Sequence, residues 1–384
     1  MQRQSGFKEI ENLFKVSPSI GLLGPRQCGK TTLSKQYLQY FKDQNPNIAT
    51  HHYDLENPND RILLENPYNL ISPLEGLIII DEIQLAPDLF SVMRVLIDDN
   101  KNRKFLFLGS ASRDLIRQSS QSLAGRIAYL ELTPFRFKEV QDLDLLLLRG
   151  GFPNSILADS DEHSFIWREN YIRTFLEIDI PNLGIKIPTH NLRRFWMMLA
   201  HYHGNIFNAS EIGNSLNLNS KTIKSYLNIL TGTFMVRQLN PWYENISKRQ
   251  VKSPKIYFRD SGIINNLLGV NSRENLLHNP KLGALWESFA LEEVISHLNV
   301  RNEDCYFWAT QNKAELDLLV FKNGQRLGFE FRWSDVIKTT KSMHIAIEDL
   351  NLDYLTIIYP GEKTFQISDK IKAVGLRAFL ESKI

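Results

Sequence analysis

Two short stretches carry the residue types that chemistry on a phosphate anhydride needs. Gly24-Pro-Arg-Gln-Cys-Gly-Lys-Thr31 fits the pattern G-x-x-x-x-G-K-[ST], between the apolar run Ser19–Leu23 and a helix-like stretch beginning near Gly29. The glycines let the backbone curl around phosphate oxygens, while successive N–H groups and the helix N-terminus point at the anion. Gly24, Pro25, Arg26, Gln27, Cys28, Gly29, Lys30, Thr31 and Thr32 are therefore expected to line a nucleotide. Lys30 would reach the β- and γ-phosphates, and the Thr31 hydroxyl would bind Mg²⁺. Downstream, Leu77-Ile-Ile-Ile80 runs into Asp81-Glu82, a short run rich in β-branched residues that reads as a strand buried on both faces. Asp81 at its end is expected to hold the water shell of Mg²⁺, and Glu82 to polarise an attacking water, which separates a hydrolase from a passive nucleotide binder. The competing reading is a pair of solvated carboxylates closing a strand; the phosphate loop upstream weighs against it.

Such groups need a sheet to hold them. Ser19–Leu23, 48–54, Leu77–Asp81, 104–109 and 127–132 read as strands, alternating with helices over 32–41, 60–70, 88–98 and 113–119. Alternation of this kind predicts a parallel sheet covered on both faces, with ligands beyond the carboxyl ends of its strands. A chain of 384 residues calls for two or three domains. A hydrophobic content of 43%, a charged content of 23% and a net charge of +2 mean that any basic surface must be local. Two cysteines, Cys28 and Cys305, exclude a disulfide framework and suit a reducing cytoplasm. Neither a signal peptide nor a membrane-spanning run is legible, so the expected location is cytoplasmic. Cys28 is either a thiol activated toward oxidation by neighbouring cations or the occupant of a variable loop position. His201-Tyr-His203 reads as a helix end rather than a zinc site.

The first 140 residues resemble an AAA+ ATPase core, and the whole chain resembles prokaryotic ATPases of that type with a nuclease-like C-terminal domain. The resemblance rests on Gly24–Thr32, Tyr53-Asp-Leu-Glu56, Ile80-Asp-Glu-Ile-Gln84, Leu108-Gly-Ser-Ala-Ser112 and Ser122-Leu-Ala-Gly-Arg-Ile127. Gly150-Gly-Phe-Pro153 and Tyr257-Phe-Arg-Asp-Ser-Gly262 extend it. It implies four segments: an ATPase core (1–140), a helical lid (141–200), a winged helix-turn-helix (201–270) and a PD-(D/E)XK nuclease-like α/β domain (271–384), the last like restriction endonucleases. It also implies that Ser110 senses the γ-phosphate or lytic water, and that Arg126 is an arginine finger reaching a neighbouring subunit's nucleotide. Pro153, in the G-x-P element, would pack near the base. Readings that compete with these make Ser110 a helix cap and Arg126 a surface cation. Phe165, Tyr171, Phe175 and Leu176 form an apolar stripe in the lid, where Arg168 or Arg173 could reach the nucleotide.

Residues 201–260 look like a winged helix-turn-helix. Ser210 caps a short helix to Leu216, 217–219 make the turn, and Ser220 caps a second helix to about Leu230. Ile223, Leu227 and Leu230 share its core face, leaving Lys221, Lys224, Ser225 and Asn228 outward, a composition suited to phosphate and base edges. Lys248-Arg-Gln-Val-Lys-Ser-Pro-Lys255 places four cations, Lys248, Arg249, Lys252 and Lys255, between two strand-like runs, a wing that would grip a DNA backbone. The alternatives are a solvated charge run and a packing module. Trp242 would stack on an unpaired base or join the core.

Beyond Pro280 the pattern becomes helix, three strands, helix, strand, helix. Asp317 lies on the second strand, Glu330 and Arg332 share a face of the third, and Glu287 on the first helix would complete a Mg²⁺ site. The resemblance puts lysine where Arg332 stands. Lysine can be tuned toward neutrality beside a nucleophilic water, whereas arginine stays protonated, so a DNA-docking or structural remnant is favoured over an active nuclease. The expected activity is Mg²⁺-dependent ATP hydrolysis by a homo-oligomer, a hexameric ring among the options, acting on DNA that includes branched forms. The alternatives are a nucleotide-gated signalling or defence switch that binds a protein, and an ATP-dependent nuclease.

Overall fold

Five apolar runs form one parallel sheet: β1 (Ser19–Leu23), β2 (Thr50–Asp54), β3 (Gly76–Asp81), β4 (Arg103–Gly109) and β5 (Ile127–Glu131), in the order β2-β3-β4-β1-β5. The computed structural model describes residues 3–86, 88–110, 123–244, 250–334 and 336–382. They divide into two units, one of Met1–Pro134 with Asp179–Lys186 and Gly232–Phe234, the other of Phe135–Ile178, Ile187–Thr231 and Met235–Ile384.

In the first unit, side chains alternate across β3 because successive residues of a strand face opposite ways. Leu77 and Ile79 join Ile10 and Phe14 of the helix Gln4–Phe14 and Leu33, Tyr37 and Phe41 of the helix Lys30–Gln44. Ile78 and Ile80 join Phe90, Met93, Leu96 and Ile97 of the helix Leu89–Asp99. All of β3 is buried, as a central parallel strand requires. The segment 60–70, expected as one helix, is two: Pro58–Leu63 and Pro67–Ile71. Asn57 caps the first through the N–H of Asn59. Pro67 has no N–H to continue that helix and begins another at its first position. The helix expected over 113–119 lies outside the described residues.

The second unit opens with helices and closes with a mixed sheet. Within it the motifs Gly150–Pro153 and Tyr257–Gly262 interlock. Asp260 accepts from the N–H groups of Gly151 at 2.8 Å and Ile263 at 3.0 Å, capping the helix Ser261–Leu267. A Cβ at Gly151 would stand 2.0 Å from the Phe135 carbonyl oxygen, and one at Gly262 would stand 2.1 Å from that of Arg149, so both approaches need glycine. Arg168, expected as a candidate nucleotide contact, is buried here. Its guanidinium donates to the carbonyls of Leu148 (3.1 Å) and Gly262 (2.8 Å), which makes it a staple between segments.

The helices Ala209–Leu216 and Ser220–Gly232 form the expected helix-turn-helix pair. Their caps sit earlier than expected, because an asparagine precedes each serine. Asn208 Oδ1 accepts from the N–H groups of Ser210 and Glu211, and Asn219 Oδ1 from that of Thr222 at 2.8 Å. A following hairpin, β6 (Val236–Pro241) and β7 (Lys255–Phe258), does not end as a free wing. Asn240 and Pro241 of β6 pair in parallel with Tyr306 and Phe307 of β8 (Cys305–Ala309). The sheet continues through β9 (Glu315–Lys322), β10 (Gln325–Phe331), β11 (Tyr354–Tyr359), β12 (Thr364–Ser368) and β13 (Ile371–Gly375), in the order β12-β13-β11-β10-β9-β8-β6-β7. The segments read as winged helix and nuclease-like core thus share one sheet. The hairpin β12–β13 was not expected, although Thr364-Phe-Gln-Ile-Ser368 alternates polar and apolar residues; β12 is an edge strand exposed along most of its length.

The helix Leu282–Leu298 buries Glu292 and Glu293 along with its apolar residues. Glu292 accepts from Arg237, with Arg136 at 3.1 Å and Arg259 at 3.8 Å. Burial alone would raise its pKa, but Arg237, Arg259 and Arg136 outweigh it and hold the carboxyl at about 2. A depressed folded-state pKa contributes stability above the unfolded value, which is lost as pH falls through the folded one. Glu292→Gln should therefore cost about 3–5 kcal/mol near neutral pH, because it strands buried cations. The gap between wild type and variant, read as urea midpoints, should narrow between roughly pH 4.5 and pH 2.

Candidate functional site

The phosphate loop spans the turn from β1 into the helix Lys30–Gln44. Gln27 (φ 60°) and Gly29 (φ 102°) take left-handed conformations, which turns successive N–H groups toward one concavity. A Cβ at Gly24 would stand 2.1 Å from the Leu132 carbonyl oxygen, so the loop closes against the end of β5 only over glycine. Lys30 is 4% exposed, and its ammonium donates to the carbonyls of Gly24 and Pro25, both at 3.0 Å. Both acceptors are neutral, so the cation is held by the loop without a carboxylate bonded to it.

Thr31 Oγ1 donates to Asp81 Oδ2 at 2.7 Å, and Asp81 Oδ1 accepts from the N–H of Glu82 at 2.9 Å. Burial at the end of β3 raises the Asp81 pKa, against the pull of the Thr31 hydroxyl. This hydroxyl–carboxylate pair fits a hydrated Mg²⁺, which takes few protein oxygens and keeps its waters. Glu82 itself is in the left-handed region (φ 53°), a conformation costly for a residue with a side chain and common at working sites. It turns the carboxylate toward Ser110 at the end of β4, whose hydroxyl donates to Glu82 Oε2 at 3.1 Å. Gln84 donates to both, to Ser110 Oγ at 2.9 Å and to Glu82 Oε2. The structure therefore brings Lys30, Thr31, Asp81, Glu82 and Ser110 to the carboxyl ends of β1, β3 and β4, where Thr31, Asp81, Glu82 and Ser110 are linked in a chain of bonds and Lys30 is held by the loop carbonyls. Gln84 was quoted in the sequence motif but given no part there; its position two residues after Glu82 was the available signal.

Arg26 lies in the loop between two acids, Asp179 at 2.6 Å and Glu56 at 2.8 Å. Burial raises the pKa of both carboxyls, against the Arg26 charge. Asp179, far along the sequence, had no local signal. Arg126 sits just before β5, its backbone carbonyl accepting from the hydroxyls of Ser17 (2.7 Å) and Ser19 (2.6 Å). Its exposed guanidinium forks onto Asp98 at 2.6 and 2.9 Å. Of the two readings of Cys28 the structure supports the loop occupant: the thiol is buried, donates to the Leu132 carbonyl at 3.4 Å, and has its pKa pushed up by burial in spite of Lys30 and Arg3. It is no activated thiolate. Pro153 belongs to the second unit, at the first position of the helix Pro153–Ile156.

In the second unit Lys221, Lys224, Ser225 and Asn228 are exposed along one side of the helix Ser220–Gly232, and Lys252 is exposed near β7. Lys248 and Arg249 lie outside the described residues. Trp242 packs against Tyr306 and Phe321 and donates to Glu244 at 2.9 Å.

The nuclease-like acids do come together, but around a cation that sequence reasoning had placed on a solvated wing. Lys255 is buried, with its ammonium 3.5 Å from Glu287 and from Asp317 and bonded to Glu315. Glu330 accepts from Arg332. Asp317 Oδ2 accepts from the backbone N–H of Phe331 at 3.1 Å. Burial pushes Glu287 up to about 7 and Glu330 well above the carboxylate range, with the Asp317 charge adding to both. Lys255 and Tyr257 share a face of β7, and Tyr257 donates to Glu287. That alternation, polar at 255 and 257 beside apolar at 256 and 258, was the signal that Lys255 points inward. Among the described residues no cluster of acids, histidines and cysteines has the geometry of a metal site.

Comparison with known proteins covers most of the chain. Residues 16–141 match an AAA domain, 140–274 a domain of unknown function (DUF8612), and 282–379 another (DUF4143). The uncharacterized proteins Rv2008c of Mycobacterium tuberculosis and Mb2031c of Mycobacterium bovis are each 45% identical over 377 residues, 97% of this chain and 83% of theirs. An uncharacterized protein of Methanocaldococcus jannaschii is 23% identical, over 99% of this chain and 90% of its own. A solved Walker-type ATPase of Pyrococcus abyssi is similar at 15% identity and a TM-score of 0.46, over 70% of this chain and 95% of that one. The chain belongs to the same family as the two mycobacterial proteins, and its N-terminal segment is an AAA domain.

Proposed function

We propose that the protein is a Mg²⁺-dependent ATPase that works as an oligomer on DNA. The observation that carries the reading is the continuous set of bonds at the strand ends, from Thr31 to Asp81 and from Glu82 to Ser110 and Gln84, beside a loop that presents Lys30. Thr31 and Asp81 would hold the metal, and Mg²⁺ would neutralise charge on the triphosphate. Glu82 takes the proton of the attacking water, oriented for it by Ser110 and Gln84. Lys30 exchanges its carbonyl partners for phosphate oxygens. Arg126 leaves Asp98 for the nucleotide of a neighbouring copy, where an arginine is worth about 10³–10⁵ in rate in other phosphoryl-transfer enzymes. DNA would lie along the exposed row of Lys221, Lys224 and Asn228, with Lys252, Lys248 and Arg249 on its backbone. The nuclease reading is disfavoured, because cations already occupy the carboxylates of the C-terminal cluster.

Steady-state phosphate release and binding of a fluorescent ATP analogue test the first half. Glu82→Gln should lower kcat by about 10²–10⁴ while the analogue still binds, whereas Lys30→Ala should lose analogue binding as well. A Glu82→Gln protein running at full speed overturns the assignment.

Titration with duplex, single-stranded and branched DNA tests the second half. The Lys221→Ala/Lys224→Ala double variant should flatten the slope of log affinity against log salt by roughly 1.8 on duplex DNA. If no form of DNA binds or alters turnover at low salt, the reading that survives is a nucleotide-gated switch with a protein partner.

A further inference from the structure

We infer that Lys255 is the resident cation of the C-terminal carboxylate cluster, standing where a divalent metal would otherwise bind, so that the cluster works as a metal-free ionic lock. The position of the ammonium is the first ground. It lies within ion-pair distance of Glu287, Asp317 and Glu315 together, three carboxylates from the helix Leu282–Leu298 and from β9. A divalent ion shared by Glu287 and Asp317 would have to occupy the same space and would suffer direct repulsion from the ammonium. The second ground is that the other donors engage only part of the cluster. Asp317 Oδ2 takes the Phe331 N–H at 3.1 Å, Glu330 takes Arg332, and Glu287 takes the Tyr257 hydroxyl. Glu287 Oε2, Glu315 Oε2 and Glu330 Oε1 take none of these bonds, so oxygens of the kind a hard divalent cation needs are present and the ammonium stands among them.

The third ground is where the lysine comes from. It sits on β7, at the edge of the eight-stranded sheet, so the pairing ties the hairpin of the helix-turn-helix segment to the acids of β9 and of the helix Leu282–Leu298. Its stem is covered, with the ammonium 5.8 Å from the centre of the Phe307 ring, and β7 is buried along its length. A lysine whose only task was to bind DNA would gain nothing from burial. A lysine that replaces a metal has to reach in between the carboxylates it balances, of which Asp317 is buried, Glu287 half-buried and Glu315 open to solvent. Removing it leaves three acids facing one another, and they then recruit protons or a cation from solvent. At alkaline pH the cation is favoured. The lock therefore hides a divalent-cation site that only its own lysine keeps closed.

The test is Mn²⁺ binding at pH 8, counted by the loss of the free-ion paramagnetic resonance signal, on the full-length, nucleotide-free protein. Wild type and Asp317→Asn should bind indistinguishably. Lys255→Met should gain one site at least tenfold tighter than any in wild type, and adding Asp317→Asn should remove it. Lys255→Gln, which keeps a hydrogen-bonding head without the charge, should gain the same site. Mn²⁺ retained by wild type and lost in Asp317→Asn overturns the inference, and that comparison needs no Lys255 variant to fold. A folded Lys255→Met protein that gains no site overturns it equally.

Discussion

A carboxylate withdrawn from water at the end of a doubly buried strand is the constraint around which the N-terminal unit is arranged. Asp81 is 1% exposed, and an isolated charge there would be prohibitive. Two donors make it tolerable, the Thr31 hydroxyl and the Glu82 N–H. Each makes its own demand on the fold. Thr31 is in place only if the helix Lys30–Gln44 starts where it does, and that helix is fixed by Leu33, Tyr37 and Phe41 packing on β1, β3 and β4. The Glu82 N–H is in place only because Glu82 turns into the left-handed region, which also swings its carboxylate across to Ser110. One buried charge thus couples the helix start, the strand register and the direction of the Glu82 carboxylate. Loss of packing far from the loop would reach the chemistry through Thr31.

Buried charge serves the second unit differently. Glu292 among three arginines, Arg168 on the carbonyls of Leu148 and Gly262, and Asp260 on the glycine turn each join segments far apart in sequence. Apolar contact alone tolerates sliding and repacking, whereas an ion pair out of water tolerates neither. A unit assembled from several helices and a mixed sheet has many ways to pack wrongly. Charges that are costly unless matched remove most of them.

Legibility from the sequence follows the range of the interaction. The phosphate loop, the five parallel strands and the acids after β3 could be read because each depends on neighbours a few residues away, on glycine, β-branching or period. The helix-turn-helix pair could be read for the same reason, down to the outward set Lys221, Lys224, Ser225 and Asn228. Asn208 and Asn219 displaced the expected serine caps within that same local range, since a side-chain carbonyl one or two residues earlier reaches the same N–H groups. What could not be read depends on partners distant in the chain: Asp179 on Arg26, Glu292 beneath Arg237, and above all Lys255. A lysine in a basic run looks solvated. Only the strand alternation of 255 with 257 hinted otherwise, and the acids that decide the matter lie dozens of residues downstream.

Lys30 and Lys255 show why residue type cannot assign a role without its counter-charge. Both are buried lysines near carboxylates, and both belong to stretches that sequence alone would mark as anion-binding. Lys30 donates to two backbone carbonyls, which orient the ammonium but do not neutralise it. Its charge stays available to an anion entering the loop, and the exchange of two carbonyls for phosphate oxygens is downhill because the new partners carry charge. Lys255 faces three carboxylates, so its charge is already matched and an incoming anion would have to displace them. Arg332, at the place where a nuclease would carry lysine, is matched in the same way by Glu330. Of the two buried lysines, the one able to act on a ligand is therefore the one whose partners are neutral, and on that criterion the phosphate loop, not the C-terminal cluster, is where a buried cation is free to meet an anion.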